Sequence, residues 1–323
     1  MKRDFVIVYF RALAIIMIVF HHSIISLQGW PPVELEPHQV PPFLSIASSY
    51  AKSIGLTLFT FISGFLVANG KQIESYLHYF THKGQRILLP CIITALFYYI
   101  LFPNRMYNGD PINGTHLWYL PMIFLLYFFS PLINRKLSFS TIIIYFIVFV
   151  AFNYLTKLTG FRTFSEVYHY MGFFLCGAYF RKNVSKINCN HKDIMLLFLL
   201  IILLSFNYRD IISLHLPILL INTFVYASTN LILLICGLYL MMNKVFFHNF
   251  APKNVFSRCI EEISAASYII YILHQFVINF VIELYLLKLI PLYLIPILGF
   301  VFSFILPLTI RYLKEKSYVF RSK

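Results

Sequence analysis

Residues 5–25 read FVIVYFRALAIIMIVFHHSII. About 20 consecutive apolar residues suffice for a helix to cross a bilayer, and here only Arg11 and the pair His21-His22 interrupt the apolar run. Lys2 and Arg3 precede it as they would a signal peptide. The run nevertheless exceeds the usual length of such a segment, contains Arg11 and is followed by no small-residue cleavage site, so it reads as a retained membrane helix. Arg11 and His22 stand eleven residues apart, which at 100° per residue is roughly 20° beyond three full turns and about 16 Å of axial rise. They share a face. Lipid penalises both, so that face points to a protein interior or a wet cavity, with Arg11 toward the cytoplasmic side and His22 toward the outer side. His21, rotated by about 100°, reads as a helix-packing histidine.

The rest of the chain is of the same kind. Of its 323 residues 59% are hydrophobic and 12% charged, with 35 Phe and 23 Tyr, and mean hydropathy is +0.76. Soluble domains are about 45–50% apolar and about 25% charged, so a water-soluble fold is excluded. Apolar runs predict helices at 5–25, 46–69, 87–102, 117–133, 138–155, 165–180, 194–208, 216–242, 261–285 and 289–312. The predicted fold is an all-α, polytopic integral membrane protein with about ten transmembrane helices. Ten spans take about 200 residues, which leaves no room for a separate soluble domain; residues 1–323 read as one transmembrane domain. The third, sixth and seventh runs are short for a bilayer and need help from neighbouring residues or a thinned region.

The formal net charge of +14 is explained by topology. With sides alternating from a cytoplasmic N-terminus, 19 Lys and Arg fall inside and 5 outside, while Arg11 and Lys52 lie within spans. This positive-inside asymmetry predicts an even number of spans with both termini cytoplasmic, and no nucleic-acid partner. Five cysteines sit singly without CxxC spacing, so free thiols and no metal are expected. The tripeptide Asn113-Gly114-Thr115 carries little weight as a glycosylation acceptor. The loop at 26–45, rich in proline, reads either as a lid over an outward-facing cavity or as a passive connector. No pair of corresponding broken helices is visible, which weakens a transporter reading.

Five segments in chain order resemble acyltransferase family 3, membrane enzymes that O-acylate bacterial surface polysaccharides and related glycans. These are Arg11 to His22 as Arg-x10-His; Ser63-Gly64-Phe65-Leu66; Arg86-Ile87-Leu88-Leu89-Pro90; His116-Leu117-Trp118-Tyr119-Leu120; and Ser267-Tyr268-Ile269-Ile270-Tyr271-Ile272-Leu273-His274. Each is weak alone; together, in order and across the whole chain, they are specific. One departure is Lys83-Gly-Gln-Arg86, where the family often has two arginines; lysine keeps the charge and loses the planar fork. Some members carry an additional extracellular hydrolase-like domain, and the end of this chain soon after its last predicted span points to a stand-alone membrane module.

The resemblance implies an O-acyltransferase of the bacterial cytoplasmic (inner) membrane. It would move an acyl group, acetyl in the first instance, from cytoplasmic acetyl-CoA to a glycan or lipid-linked sugar hydroxyl on the outer side, with membrane lipid around it and no metal. His22 is the expected base, since an imidazole with an ordinary pKa near 6.5 can take the proton of an attacking hydroxyl. Arg11 would steady the donor's phosphates or amides, unless it snorkels to the inner headgroups. Lys83 and Arg86 would hold the donor at the cytoplasmic mouth, or serve only as topology signals. Ser63 and Gly64 either line the donor path or let helices pack closely; Ser63 lacks the strained elbow of a nucleophilic serine. Trp118 would stack on the acceptor or anchor at the interface, Glu166 would orient His22 or meet a sugar hydroxyl or be an interfacial carboxylate, and His274 would be a pore polar group or a helix–helix contact. The competing function is a proton-coupled transporter or flippase of an anionic solute or lipid-linked sugar, with Arg11 as the binding charge and His22 as relay.

Overall fold

The computed structural model describes residues 5–28, 40–68, 75–106, 109–112, 114–133, 170–175, 177–178, 181 and 255–321. Among these there are helices and turns and no strand. The long helices are α1 (Phe5–Ile25), α2 (Pro42–Ala68), α3 (Tyr76–Leu101), α4 (Tyr119–Ile133), α5 (Val255–Leu286) and α6 (Leu294–Arg321), with short 3-10 turns at Ser26–Gln28, Pro103–Arg105 and His116–Trp118. Among the described residues five stretches are long and apolar enough to cross a membrane: Ile7–Gln28, Pro42–Ala68, Tyr76–Leu101, Val255–Leu286 and Leu294–Lys314. The 27 residues of α2 correspond to about 40 Å of helix.

Several boundaries correct the sequence expectation; the helices expected from 46 and 261 begin at Pro42 and Val255, and the last runs to Arg321. The helix expected at 87–102 begins at Tyr76, so it needs no neighbouring loop to span; its first three turns carry His78, His82, Lys83 and Arg86 and were hidden from a hydropathy window by that polarity. The helix expected at 289–312 begins at Leu294. Lys288 takes a left-handed conformation with φ of 60°, and Pro291 follows; Leu294 and Ile295 then donate to the carbonyls of Pro291 and Leu292 to start the next helix. The runs expected at 138–155, 194–208 and 216–242 lie outside the described residues, and within 165–180 residues 170–175, 177 and 178 are helical.

The chain divides into two compact units, one of Met1–Leu56, His82–Pro121 and Ala251–Lys323 and the other of Thr57–Thr81 and Met122–Phe250. In the first unit α1, α5 and α6 pack against one another. Gly55 brings α2 onto α1 there: a Cβ at that position would lie 3.0 Å from the carbonyl oxygen of Ala14 and 2.8 Å from Cγ1 of Ile18. Polar residues of α5, among them Ser267, His274, Gln275 and Asn279, are turned inward and buried, while Leu89, Ile92, Ile93, Leu96, Phe97 and Ile100 of α3 are exposed. That inversion suits a helix whose outer face meets lipid. Of the five cysteines, the described Cys91 and Cys259 are free thiols.

The second unit is held by a backbone-to-backbone contact. A Cβ on Gly64 would sit 1.8 Å from the carbonyl oxygen of Phe174, and one on Gly177 would sit 2.0 Å from that of Phe61. Glycine at both positions lets the two helices touch. Gly64→Ala and Gly177→Ala should each lower the yield of folded protein and its melting temperature in detergent, overpacking of this kind costing about 1–3 kcal/mol or more. Gly299→Ala, whose Cβ would meet a side-chain atom, Cγ1 of Ile278, at 3.2 Å rather than main chain at 2 Å or less, should be much milder. Thermal scans of the three variants by size-exclusion chromatography check the order.

Candidate active site

Three histidines from three segments converge in the first unit. His22 of α1 and His274 of α5 are joined directly, His22 Nδ1 and His274 Nε2 standing 2.9 Å apart. His116, at the start of the turn leading into α4, closes the cluster; its ring centroid lies 6.2 Å from that of His22 and 4.6 Å from that of His274. Beneath them Tyr271 packs 5.4 Å from His116. A cavity of about 210 Å³ opens beside this cluster. Its lining includes His21, His22, His116, Trp118, Tyr271 and Lys52.

Local sequence explains why each side chain is where it is. An unbroken α1 from Phe5 to Ile25 preserves the spacing from Arg11 to His22, and both residues are half-buried. His21 turns the other way: its Nδ1–H donates to the carbonyl of Ser48 at 3.0 Å, with the Ser48 hydroxyl 2.9 Å away, tying α1 to α2. Ahead of α4, Asp110 Oδ1 accepts from the Ile112 N–H at 2.8 Å and Thr115 caps the turn, accepting from the Leu117 N–H at 3.2 Å and donating to Pro111 at 2.8 Å. This tight connection presents His116 and Trp118, and Thr115 is buried in it. Nε2–H of His116 donates to the Ile272 carbonyl at 3.3 Å, and the Tyr271 hydroxyl donates to the His116 carbonyl.

The helix that bears His274 is fixed on the flank by charge. Arg105, buried, donates from Nη2 to Glu283 Oε1 at 2.5 Å and from Nη1 to the Asn279 carbonyl at 3.3 Å. Burial pushes the Arg105 guanidinium below its ordinary pKa, while the adjacent Glu283 carboxylate works against that shift. Near the middle of α5, the Tyr268 hydroxyl donates to the Ile87 carbonyl of α3 at 3.2 Å. Pro90 lies inside α3 and withholds the N–H that the Arg86 carbonyl would otherwise take.

The expected residues are therefore sorted by the fold. His22 and Trp118 line the cavity and His274 stands behind His22. Arg11, half-buried, lies on α1 about 16 Å along the axis from His22, and Lys83, half-buried, and Arg86, exposed, lie on α3; these three do not line the cavity. Ser63 donates to the Phe59 carbonyl at 2.9 Å within its own helix, and Gly64 makes the close contact with Phe174 described above. Glu166 lies outside the described residues. His116 and Tyr271 sat inside the quoted motifs without a role, and the cavity supplies one. Lys52 was also passed over, although a charged residue inside an apolar helix is the same signal that singled out Arg11. Among the described residues the lining carries this one lysine and no carboxylate.

Residues 6–314 match the acyltransferase domain that defines acyltransferase family 3. The chain belongs to that family. No curated protein and no solved structure matches it. With five helices suited to crossing a bilayer, this family member is a multi-pass membrane acyltransferase. Among the described residues no group of three or more His, Cys, Asp or Glu is placed to hold a metal ion; the three-histidine cluster is instead knitted together by hydrogen bonds to main-chain carbonyls and to each other. Tyr271→Phe should cost about 0.5–1.5 kcal/mol through loss of the hydroxyl that holds the His116 carbonyl. Paired measurements of melting temperature and transfer rate should show a rate loss larger than that energy alone, because His116 loses its anchor in the cavity wall.

Proposed function

We propose that the protein transfers an acyl group, acetyl in the first instance, from cytoplasmic acetyl-CoA to a hydroxyl of a surface polysaccharide or lipid-linked sugar on the outer side of the bacterial inner membrane. The observation that carries this reading is a cavity in which His22, His116 and Tyr271 meet beside Trp118 and Lys52. His22 acts as general base. It takes the proton of the attacking hydroxyl as that oxygen bonds to the thioester carbonyl carbon; the C–S bond then breaks, coenzyme A leaves as thiolate, and the proton on His22 passes to that sulfur or to water. The thiolate needs no acid to leave. Lys52 supplies positive potential where the carbonyl oxygen gathers negative charge.

The cavity of about 210 Å³ is smaller than the 300–1,000 Å³ of most ligand pockets. It suits the acyl end of the donor and one edge of a sugar. The phosphates of the donor then belong at the cytoplasmic end, with Lys83 and Arg86 of α3, and Arg11 steadies the chain between. Trp118 offers an aromatic face to the acceptor ring.

His22→Ala should insert normally and lose transfer by about 10²–10⁴-fold, while His21→Ala, which removes the tie to Ser48 and an edge contact with the His22 ring but not the proposed base, should lose far less. Mass and linkage analysis of surface glycans, together with acyl transfer by purified protein in detergent, reads both; activity retained in His22→Ala sinks the proposal, and a transporter would show no turnover without a sealed membrane. Arg86→Ala should weaken donor affinity by roughly ten- to a hundredfold, the worth of a charged hydrogen bond of about 1.5–3 kcal/mol. Calorimetric titration with acetyl-CoA checks it, and an unchanged affinity returns Arg86 to the role of a topology signal.

A further inference from the structure

We propose that His274 is a positioning residue that selects the tautomer of His22, so that the basic nitrogen of His22 is Nε2; this rests on the reading of His22 as base. The direction of the proton chain is set at the far nitrogen of His274. Its Nδ1 lies 2.7 Å from the Tyr271 carbonyl oxygen and 3.2 Å from that of Ile270. Carbonyl oxygens have no proton to give, so Nδ1 of His274 carries one and donates it. In the neutral ring Nε2 is then a lone pair. The atom facing that lone pair at 2.9 Å is Nδ1 of His22, and a hydrogen bond forms there only if His22 Nδ1 carries the proton. Nε2 of His22 is left unprotonated, on a ring that lines the cavity.

The surroundings hold His274 to this task. It is fully buried, and its position in α5 is braced from α6, where the Ser303 hydroxyl lies 3.2 Å from the His274 carbonyl as well as 2.6 Å from that of Gly299. Helix carbonyls at i−3 and i−4 are always present on α5, so the direction of the proton chain is set by the main chain and survives changes in neighbouring side chains. When His22 takes a proton at Nε2, its Nδ1–H still points at the His274 lone pair, and the imidazolium keeps its orientation. A buried carboxylate does this for the base in serine hydrolases; here a neutral imidazole orients the ring.

The test compares His274→Gln, whose Oε1 can accept in place of Nε2, with His274→Met, which fills the space and accepts poorly. In full-length protein, His274→Met should lower kcat about a hundredfold or more with KM for acetyl-CoA and for the acceptor within twofold, and His274→Gln should recover to within about tenfold of the parent. Nitrogen-15 spectra of histidine-labelled protein in nanodiscs, assigned with His22→Gln, should place the His22 proton on Nδ1 in the parent and spread it over both nitrogens in His274→Met. A parent spectrum with the proton on Nε2, a loss confined to KM, or equal activity in the Gln and Met variants overturns the inference. Those outcomes leave the base reading intact, which falls separately if His22→Ala retains activity.

Discussion

Two imidazoles 252 residues apart in the chain meet at 2.9 Å, and this contact organises what surrounds it. Ionisable groups at membrane depth are tolerated only where protein or water supplies their partners. Each histidine here supplies the other's. The pairing explains why α5 buries polar residues along one flank, why α1 lies against it, and why α6 braces it from behind through Ser303. The cavity is lined by His22 together with His116, Trp118 and Tyr271.

The chemistry follows from what the lining lacks as much as from what it holds. Among the described residues one lysine and no carboxylate face the cavity, so negative charge that develops on a carbonyl oxygen meets only favourable potential there. Glu283 stands on the flank, its charge occupied by Arg105. On the proposed reading of His22 as base, an imidazole that must be uncharged to work is thus surrounded by hydrogen-bonding neutral groups and one cation.

Reading from sequence worked where a single helix carried the signal. The Arg11 to His22 spacing, the span of α1 and the packing role of His21 follow from helical periodicity alone, and the contact of His21 with Ser48 agrees with them, although the His21 ring also meets that of His22 at 5.1 Å and lines the same cavity. The relation of His22 to His274 was not readable in the same way, because the partners sit on helices distant in sequence and no local period connects them. His116 was similarly hidden: a 3-10 turn capped by Thr115 sets its direction. Gly64 was legible as a residue type and ambiguous in role, since a small residue in a span fits both a substrate path and a helix contact until the neighbour, Phe174, is known. Helix ends failed where polarity inside a helix, as in the first turns of α3, mimicked a loop.

One consequence concerns how this protein can drift over evolutionary time. Tyr268 and Tyr271 reach from α5 to the main-chain carbonyls of residues 87 and 116, and His116 and His274 likewise spend a nitrogen on main-chain oxygens. Every residue has such an oxygen. Substitution of Ile87, Ile270 or Ile272 therefore leaves each of those bonds intact, while substitution of either tyrosine or either histidine removes one. These main-chain contacts are invisible to pairwise covariation, unlike the side-chain pair of His22 and His274; they would register in an alignment as invariant tyrosine and histidine set against freely exchanging partners.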